Sequence, residues 1–430
     1  MSRRLFLFDD GTARSWSPLA LTRPAGEILF GTLLLRERIE RAVGLEASAY
    51  LGPGELLGFR EEGAPPVAEA EALPTDGERL VLSTRYVPPP GDLALPEAEN
   101  AGEGSRNGLA LRVAGHVVGC LLPAGAPLPP ASWRERPSAE DGAPAPVVHD
   151  LPGVVLPDLW TLMASNPERI AADLEGSAPT SPSAPVEPLG TRTGVHVLGE
   201  HPVTIGERVK VDPGVVLDAR SGPIHLAEGV EVRSFTLVEG PTWVGPGSVL
   251  LGGRISAVSC GPICKLHGEV DSSVILGYSN KAHAGYLGHS LLGRWVNLGA
   301  FTTNSDLKNT YGTVRIPAPG GQGEVDTGRM KVGVFLGDHV KTGIGTLLNT
   351  GTVVGAGSNL FGGAMPPRHV PPFSWGSGHE LGVYRKDGFL STARTVMSRR
   401  DVELDPGMEE LLTRAWERTR RGFGIGGEGS

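Results

Sequence analysis

Between Val195 and about Pro366, aliphatic residues return with a spacing near six. The stretches VTIGERVKVDPGVVLDA (203–219), IHLAEGVEVRSFTLVEGPTWVGPGSVLLGG (224–253), LGHSLLGRWVNLGA (287–300) and VGVFLGDHVKTGIGTLLNTGTVVGAGSNLFGG (332–363) keep this phase. Small or β-branched residues at one phase of a six-residue repeat predict a triangular parallel β-helix. Each short flat sends one aliphatic side chain inward, and the corners take Gly or another residue that tolerates a tight turn. Such a prism is filled by its own side chains, so chemistry has to sit on its outside or between subunits. Residues 307–330 carry Gly, Pro and polar residues with no inward phase. They predict a loop leaving the coil, a good place for ligand contacts.

The first part of the chain has a different rhythm. RLFLF (4–8) predicts a short buried strand, DDGTAR follows, and AGEILFGTLLLRERIERAVG (25–44) is helix-like. Strand, Gly-containing turn and helix open an α/β, Rossmann-like nucleotide-binding domain. Apolar runs at 47–52, 79–84 and 108–123 continue it, so this domain is predicted over residues 1–125. Residues 126–190 read as a linker, with helix in 157–175 broken near Asn166-Pro167 and a low-complexity run at 176–189. The β-helix domain is predicted over 191–376 and a helical tail over 377–430, where Asp405 suits an N-cap and Pro406 the first helical position.

Composition narrows the class. Forty per cent hydrophobic residues over 430 positions suit a soluble chain of two or three domains. A net charge of −9 does not suit a general nucleic-acid binder, although local basic residues could hold phosphates of a small ligand. Three cysteines, Cys120, Cys260 and Cys264, are too few and odd for a disulfide framework and suit a reducing cytoplasm. Cys260, Cys264 and His267 form a single cluster without a partner pair, which is weak for zinc. The apolar run at the start is too short for a signal peptide or a membrane span.

Chemistry-bearing residues crowd into KAHAGYLGHSLLGRWVNLGAFTTNS (281–305), which holds Lys281, His283, Tyr286, His289, Asn297, Asn304 and Ser305 among glycines and apolar pairs. Histidine suits proton removal near neutral pH. A single His on such a coil is more often a surface or inter-subunit residue, and Tyr286 is as readily packing as ligand contact. His289 and His339 read as structural, with His339 facing a neighbouring subunit.

The segments LFDDGTARSWSPLALTRPAGEILFG, KLHGEVDSSVILGYSNKAHAGYLGHSLLGRWVNLGAFTTNSDLKNTYG, VFLGDHVKTGIGTLLNTGTVVGAGSNLFGG and FSWG together resemble a known family. It is that of the bifunctional N-acetylglucosamine-1-phosphate uridylyltransferase/glucosamine-1-phosphate N-acetyltransferases, in the divergent branch found in Bacteroidetes and related bacteria. The resemblance implies a left-handed coil, whereas the general rule for parallel crossovers favours the right hand. It implies acetyl transfer from acetyl-CoA to a hexosamine 1-phosphate and nucleotidyl transfer from UTP with Mg²⁺. In the family's HxxYLG string, His283 is the base. Lys281 and Tyr286 would contact the sugar phosphate, Asn297 the amino sugar, and Ala300, with Asn304 and Ser305, acetyl-CoA. Gly11, Thr12, Arg14 and Arg23 would surround the nucleotide phosphates. Asp9 or Asp10 could meet the metal through water, with ordinary turn residues as the alternative. A homotrimer is implied, because the acetyl-CoA groove of this coil type lies between subunits.

Two departures stand out. The family's lysine between Gly268 and Gly277 is absent, leaving Lys265 or Arg254 to supply positive charge, and Phe301 follows NLGA where small residues are usual. A chain with nucleotidyl transfer only, its coil merely assembling the oligomer, and a non-catalytic trimeric scaffold that binds a sugar nucleotide are the alternatives.

Overall fold

The computed structural model describes residues 3–52, 54–96, 108–140, 147–176, 194–318 and 323–422. RLFLF forms strand β1 (Arg3–Phe8), with Leu5, Phe6, Leu7 and Phe8 fully buried. Strands β2 (Ala47–Leu51), β3 (Val67–Ala68), β4 (Glu78–Ser83), β5 (Leu109–Val113), β6 (His116–Leu122) and β7 (Val147–Asp150) complete one sheet. Its order is β7-β5-β6-β4-β1-β2-β3. β1 lies parallel to β2 and β4, so the chain reverses its winding direction between β1 and β4. In open α/β sheets, that switch point opens a crevice at the carboxyl ends of the strands.

Helix α1 (Leu35–Val43) starts at Leu35, not at Ala25. Glu37 accepts the Leu34 N–H at 2.9 Å, and Gly44 at φ +68° ends the helix. The apolar run ahead of it is instead a 3₁₀ turn and a small hairpin, Leu29–Phe30 with Leu33–Leu34. Ile28, Leu29 and Phe30 are buried in a cluster shared with the coil, and this tertiary packing overrides the helical pattern.

The α/β unit also continues past residue 125, because β7 joins the sheet beside β5. Helices α2 (Leu159–Ala164) and α3 (Asn166–Gly176) stay with it. Asp173 of α3 accepts from both terminal guanidinium nitrogens of Arg38, at 2.8 and 2.7 Å, and from the Thr32 N–H at 2.9 Å.

The period of six is a three-sided coil of parallel rungs. Nine short strands on one face stack Ile205, Leu226, Val244, Cys260, Ile275, Leu292, Leu336, Val354 and Val370 inward. The outward residues Val274, Leu291, Phe335 and Val353 of this face pack against Trp16, Leu19, Ile28, Phe30, Leu159 and Leu162. Burying one such side chain fully contributes about 1.5–3 kcal/mol, so this docked face fastens the coil to the α/β unit. A second face carries Lys265, Asn280, Asn297, Lys341 and Asn359 outward. The third, the open face, carries Arg254, Glu269, Tyr286, Thr303 and Leu347 outward over Ile255, Val270 and Leu287.

The corners are not reserved for glycine. Tyr278, Trp295, His339 and Phe373 adopt φ of +53°, +63°, +61° and +56° along one edge. A left-handed L-residue costs roughly 1–2 kcal/mol. Here the rings offset that by stacking, with Tyr278 and Trp295 centroids 4.3 Å apart. The described residues 307–318 and 323–330 leave the coil as expected, but they pair as two antiparallel strands, Arg315–Pro317 with Glu324–Asp326, and Val314 and Ile316 are buried. The tail helices α4 (Lys386–Ser398) and α5 (Pro406–Gly422) fold back onto the sheet, where Phe389, Leu390 and Leu411 share a core with Leu5, Leu7 and Tyr50.

Candidate functional site

One turn of the coil holds most of the candidate chemistry. The chain crosses the second face at Asn280–Lys281, turns, crosses the open face at Tyr286–Gly288, and leaves it at His289, whose φ is +46°. His289 and Asp306 are 17 residues apart, which is one coil, so they stack at the same edge. His289 Nδ1 lies 2.7 Å from Asp306 Oδ2. The Tyr286 hydroxyl donates to the same oxygen at 2.7 Å. Tyr286 folds along the face only because residue 288 is glycine: a Cβ there would stand 2.0 Å from its hydroxyl oxygen.

Burial works to raise the Asp306 carboxyl, but the bonds from His289 and Tyr286 outweigh it and hold Asp306 below the usual carboxylate range. Burial, then the bond to Asp306, pushes the Tyr286 phenol far above its ordinary value. The result is an ionised carboxylate that fixes an imidazole and a neutral phenol at one rim.

The structure corrects several expected contacts. Lys281 stands in the inward column between Leu266 and Leu298, is 2 % exposed, and donates to the carbonyls of His267 and His283. Burial lowers its pKa to about 8, and it has no path to a sugar phosphate. Asn304 also points inward; it accepts from the Gly288 N–H at 3.0 Å and donates to the carbonyls of Gly288 and Ser305, both at 3.1 Å. It braces two rungs and is closed to acetyl-CoA.

Arg254 pairs with Glu239 at 2.5 Å and Glu269 at 3.4 Å, so its charge is already met. Asn297 lies on the second face, accepting from Asn280 at 3.1 Å, with Lys265 on the same ladder. That is a different side of the prism from Tyr286. Ala300 is half-buried, and Ser305 is exposed and donates to the Leu307 carbonyl at 3.0 Å. His283 is exposed, and its ring has no hydrogen-bond partner among the described residues.

In the α/β unit, DDGTAR is one helical turn and not a glycine-rich phosphate loop. Asp10 caps it by accepting the Ala13 N–H at 2.9 Å, and also pairs with Arg85 at 2.6 Å. Glu135 packs over Gly11, where a Cβ would meet its carboxylate oxygen at 2.3 Å, and pairs with Arg14. Arg14 still lines a cavity of about 230 Å³ with Asp9, Gly52, Glu69 and Arg134. Thr12 lines a second, of about 580 Å³, with Asp10, Arg85, Arg112 and Arg136. Both open at the carboxyl end of β1, where a nucleotide would be expected.

Arg23 is elsewhere. It is 1 % exposed and is held by Glu61 at 2.9 Å and by Asp338 of the coil at 3.0 Å, so both edges of its guanidinium are occupied. It is an inter-domain tie in place of a phosphate ligand.

The acidic pair does not fit Mg²⁺. Asp9 accepts from the Thr84 hydroxyl at 2.6 Å and the Ala25 N–H at 2.9 Å, and burial raises its pKa to about 6. Among the described residues no three His, Cys, Asp or Glu side chains are grouped to hold a metal. Cys260 and Cys264 are buried core thiols.

From the sequence pattern alone His289 reads as structural, and Asp306 is not singled out. The signal that finds them is the coil length: residues about 17 apart stack, and a His stacked on an Asp at a corner is a fixed pair.

Fold and site together define a nucleotidyltransferase-like α/β domain joined to a β-solenoid. Residues 5–178 match the family model described as sugar nucleotidyl transferase. A bifunctional sugar-1-phosphate nucleotidylyltransferase/acetyltransferase of Sulfurisphaera tokodaii is 35% identical over 102 residues, 24% of this chain. The chain therefore spans about a quarter (25%) of the length of that curated relative. Among solved structures, an Arabidopsis UDP-N-acetylglucosamine acyltransferase matches at 13% identity and TM-score 0.31, over 55% of this chain and 98% of that one. An N-acyltransferase of Bacillus cereus, solved with dTDP-4-amino-4,6-dideoxyglucose and coenzyme A, matches at 16% identity and TM-score 0.21, over 46% of this chain and 90% of that one. No helix among the described residues is long and apolar enough to cross a membrane.

Proposed function

We propose that the protein is a sugar-nucleotide enzyme with two activities. The α/β unit would transfer a nucleotidyl group from a nucleoside triphosphate such as UTP to a sugar 1-phosphate, and the open face of the coil would acetylate the sugar's amine from acetyl-CoA. The product would be UDP-N-acetylglucosamine or a related nucleotide sugar. The observation that carries this reading is the pairing, in one chain, of a sugar nucleotidyl transferase match at 5–178 with a coil whose exposed edge fixes an imidazole against a carboxylate.

Acetyl transfer needs the amine neutral, a base to take its proton, and donors for the developing oxyanion. Backbone N–H groups at the coil corners suit the last role. In the α/β unit, Arg14, Arg85, Arg112, Arg134 and Arg136 border the two cavities beside β1; Arg14, Arg85 and Arg112 are paired with Glu135, Asp10 and Asp150, which leaves Arg134 and Arg136 as the cations without a carboxylate partner among the described residues. A cytoplasmic homotrimer belongs to the same reading, with the open face meeting its neighbour. The exposed Phe301, at 64 %, and Ile344, at 74 %, border that face.

The second reading, nucleotidyl transfer only, is favoured by Lys281, an expected sugar-phosphate contact that the coil buries, and by Arg254, a candidate for the missing positive charge that Glu239 and Glu269 already engage. One coupled assay separates them. With glucosamine 1-phosphate, acetyl-CoA and UTP, free thiol and pyrophosphate are followed separately. Both products support the two-activity reading. Pyrophosphate without thiol supports the second, and neither product with any hexosamine 1-phosphate overturns both.

A further inference from the structure

We propose that His289, oriented by Asp306, is the general base for acyl transfer on the open face; this rests on the acetyl-transfer reading above. Four observations lead to it. First, His289 Nδ1 is 2.7 Å from Asp306 Oδ2, which fixes the N–H on Nδ1 and leaves the lone pair on Nε2. Second, Nε2 has no hydrogen-bond partner among the described residues, and the side chain keeps 15 % of its surface exposed. A substrate atom can therefore reach it.

Third, Asp306 is itself fixed. The Tyr286 hydroxyl bonds the same carboxylate oxygen, and the chain on either side of the loop is tied by the Val332 N–H donating to the Asp306 carbonyl at 2.9 Å. The hydrogen bonds that keep Asp306 ionised also mean that an imidazolium formed at His289 lies against a full negative charge. Fourth, the backbone of His289 is held on both sides. Its N–H donates to Asp271 at 3.0 Å and its carbonyl accepts from Gly333 at 2.8 Å. His283, the family-like base, has an exposed ring with no such support among the described residues. A base that must be found in one orientation loses rate when its ring is free to rotate.

The step balances with the two named co-reactants. The amine nitrogen of the acceptor attacks the thioester carbonyl carbon of acetyl-CoA, and an N–C bond forms. Nε2 of His289 takes the proton from that nitrogen. The C–S bond breaks, and the proton passes to the departing sulfur as coenzyme A leaves. Asp306 touches neither reactant and acts as a positioning residue. Charged groups around the pair are Asp271 on the preceding rung and Lys331, where the chain rejoins the coil; Lys331 also favours the ionised form of Asp306.

The test uses the full chain with glucosamine 1-phosphate and acetyl-CoA, following free thiol. His289→Gln is expected to lower kcat about 100-fold or more, and His283→Gln at least ten times less. His289→Ala should regain rate when imidazole is added to the buffer, which a merely structural role would not allow. Asp306→Asn should lower kcat with little change in KM and shift the acid limb of the pH profile downward, because the imidazolium loses its counter-charge. Thiol release that survives in His289→Gln, or a loss in His283→Gln as large as in His289→Gln, overturns the proposal and leaves the acetyl-transfer reading standing. Absence of thiol release from the unaltered chain overturns both.

Discussion

Arg23 of the α/β unit and Asp338 of the coil form a buried ion pair at 3.0 Å, across 315 residues of sequence. Asp338 also accepts from the Thr22 hydroxyl at 2.6 Å and the Arg294 N–H at 2.8 Å, so one carboxylate closes the junction from both sides. Removing Asp338 leaves Arg23 with Glu61 alone and takes the acceptor from the Thr22 hydroxyl and the Arg294 N–H, a combined loss of about 3–5 kcal/mol. Asp338→Ala is therefore expected to lose stability in that range in urea titrations, and to separate the unfolding of the two domains. A loss below about 1 kcal/mol would show that the pair is not needed at the junction.

Lys281 gives a pH-dependent prediction. Its pKa is depressed to about 8 in the fold, against about 10.4 when exposed. The unfolded chain binds more protons between those values, so the lysine's contribution grows as pH rises and is lost as pH falls through about 8. Between pH 7.5 and 9.5 the native chain should gain about 2 kcal/mol relative to Lys281→Met. Methionine suits the column between Leu266 and Leu298, so the variant should also be more stable at pH 7. Equal stability–pH slopes in the two chains would place the amine in water.

Gly288→Ala tests the reach of Tyr286. The new Cβ would displace the phenol hydroxyl, 2.0 Å away, and break its bond to Asp306. A melting temperature lowered by a few degrees is expected, and acetyl transfer should fall as far as in Tyr286→Phe. An alanine variant that keeps full stability and full activity would mean that the phenol does not need this path.

Asn304→Ala separates bracing from ligand contact. Its amide serves both the N–H and the carbonyl of Gly288 inside the prism. Leaving those groups unpaired should cost roughly 1–3 kcal/mol. The KM for acetyl-CoA should stay within about twofold, since the side chain is 4 % exposed. A tenfold rise in KM without loss of stability would return Asn304 to the ligand.

The prism was legible because its rule is local: one inward aliphatic per flat and a turn every six residues. Leu266, Ile275 and Leu287 follow it directly. Lys281 was not legible, because a lysine in an inward column looks like any surface lysine until its neighbours in space, one coil away, are known. The same blindness hid the His289–Asp306 pair and turned Arg23 from an inter-domain tie into a phosphate ligand. In the α/β unit, the buried β1 was plain. The half-exposed VVHD of β7 and the hairpin at 29–34 were not, since only packing against distant residues decides their state.

The docked face also sets what can change in length. Rungs from Val274 to Val353 are locked in step with the α/β unit. One extra rung there would slide every later contact by about 4.8 Å and tear Asp338 from Arg23. The early rungs, from His196 to Val232, take no part in that docking cluster. The coil is thus a spine with a fixed gauge at one end and a looser one at the other, where the exposed His201–Glu175 contact at 3.1 Å ties it to α3 and whole turns can be added or trimmed at little cost to either site.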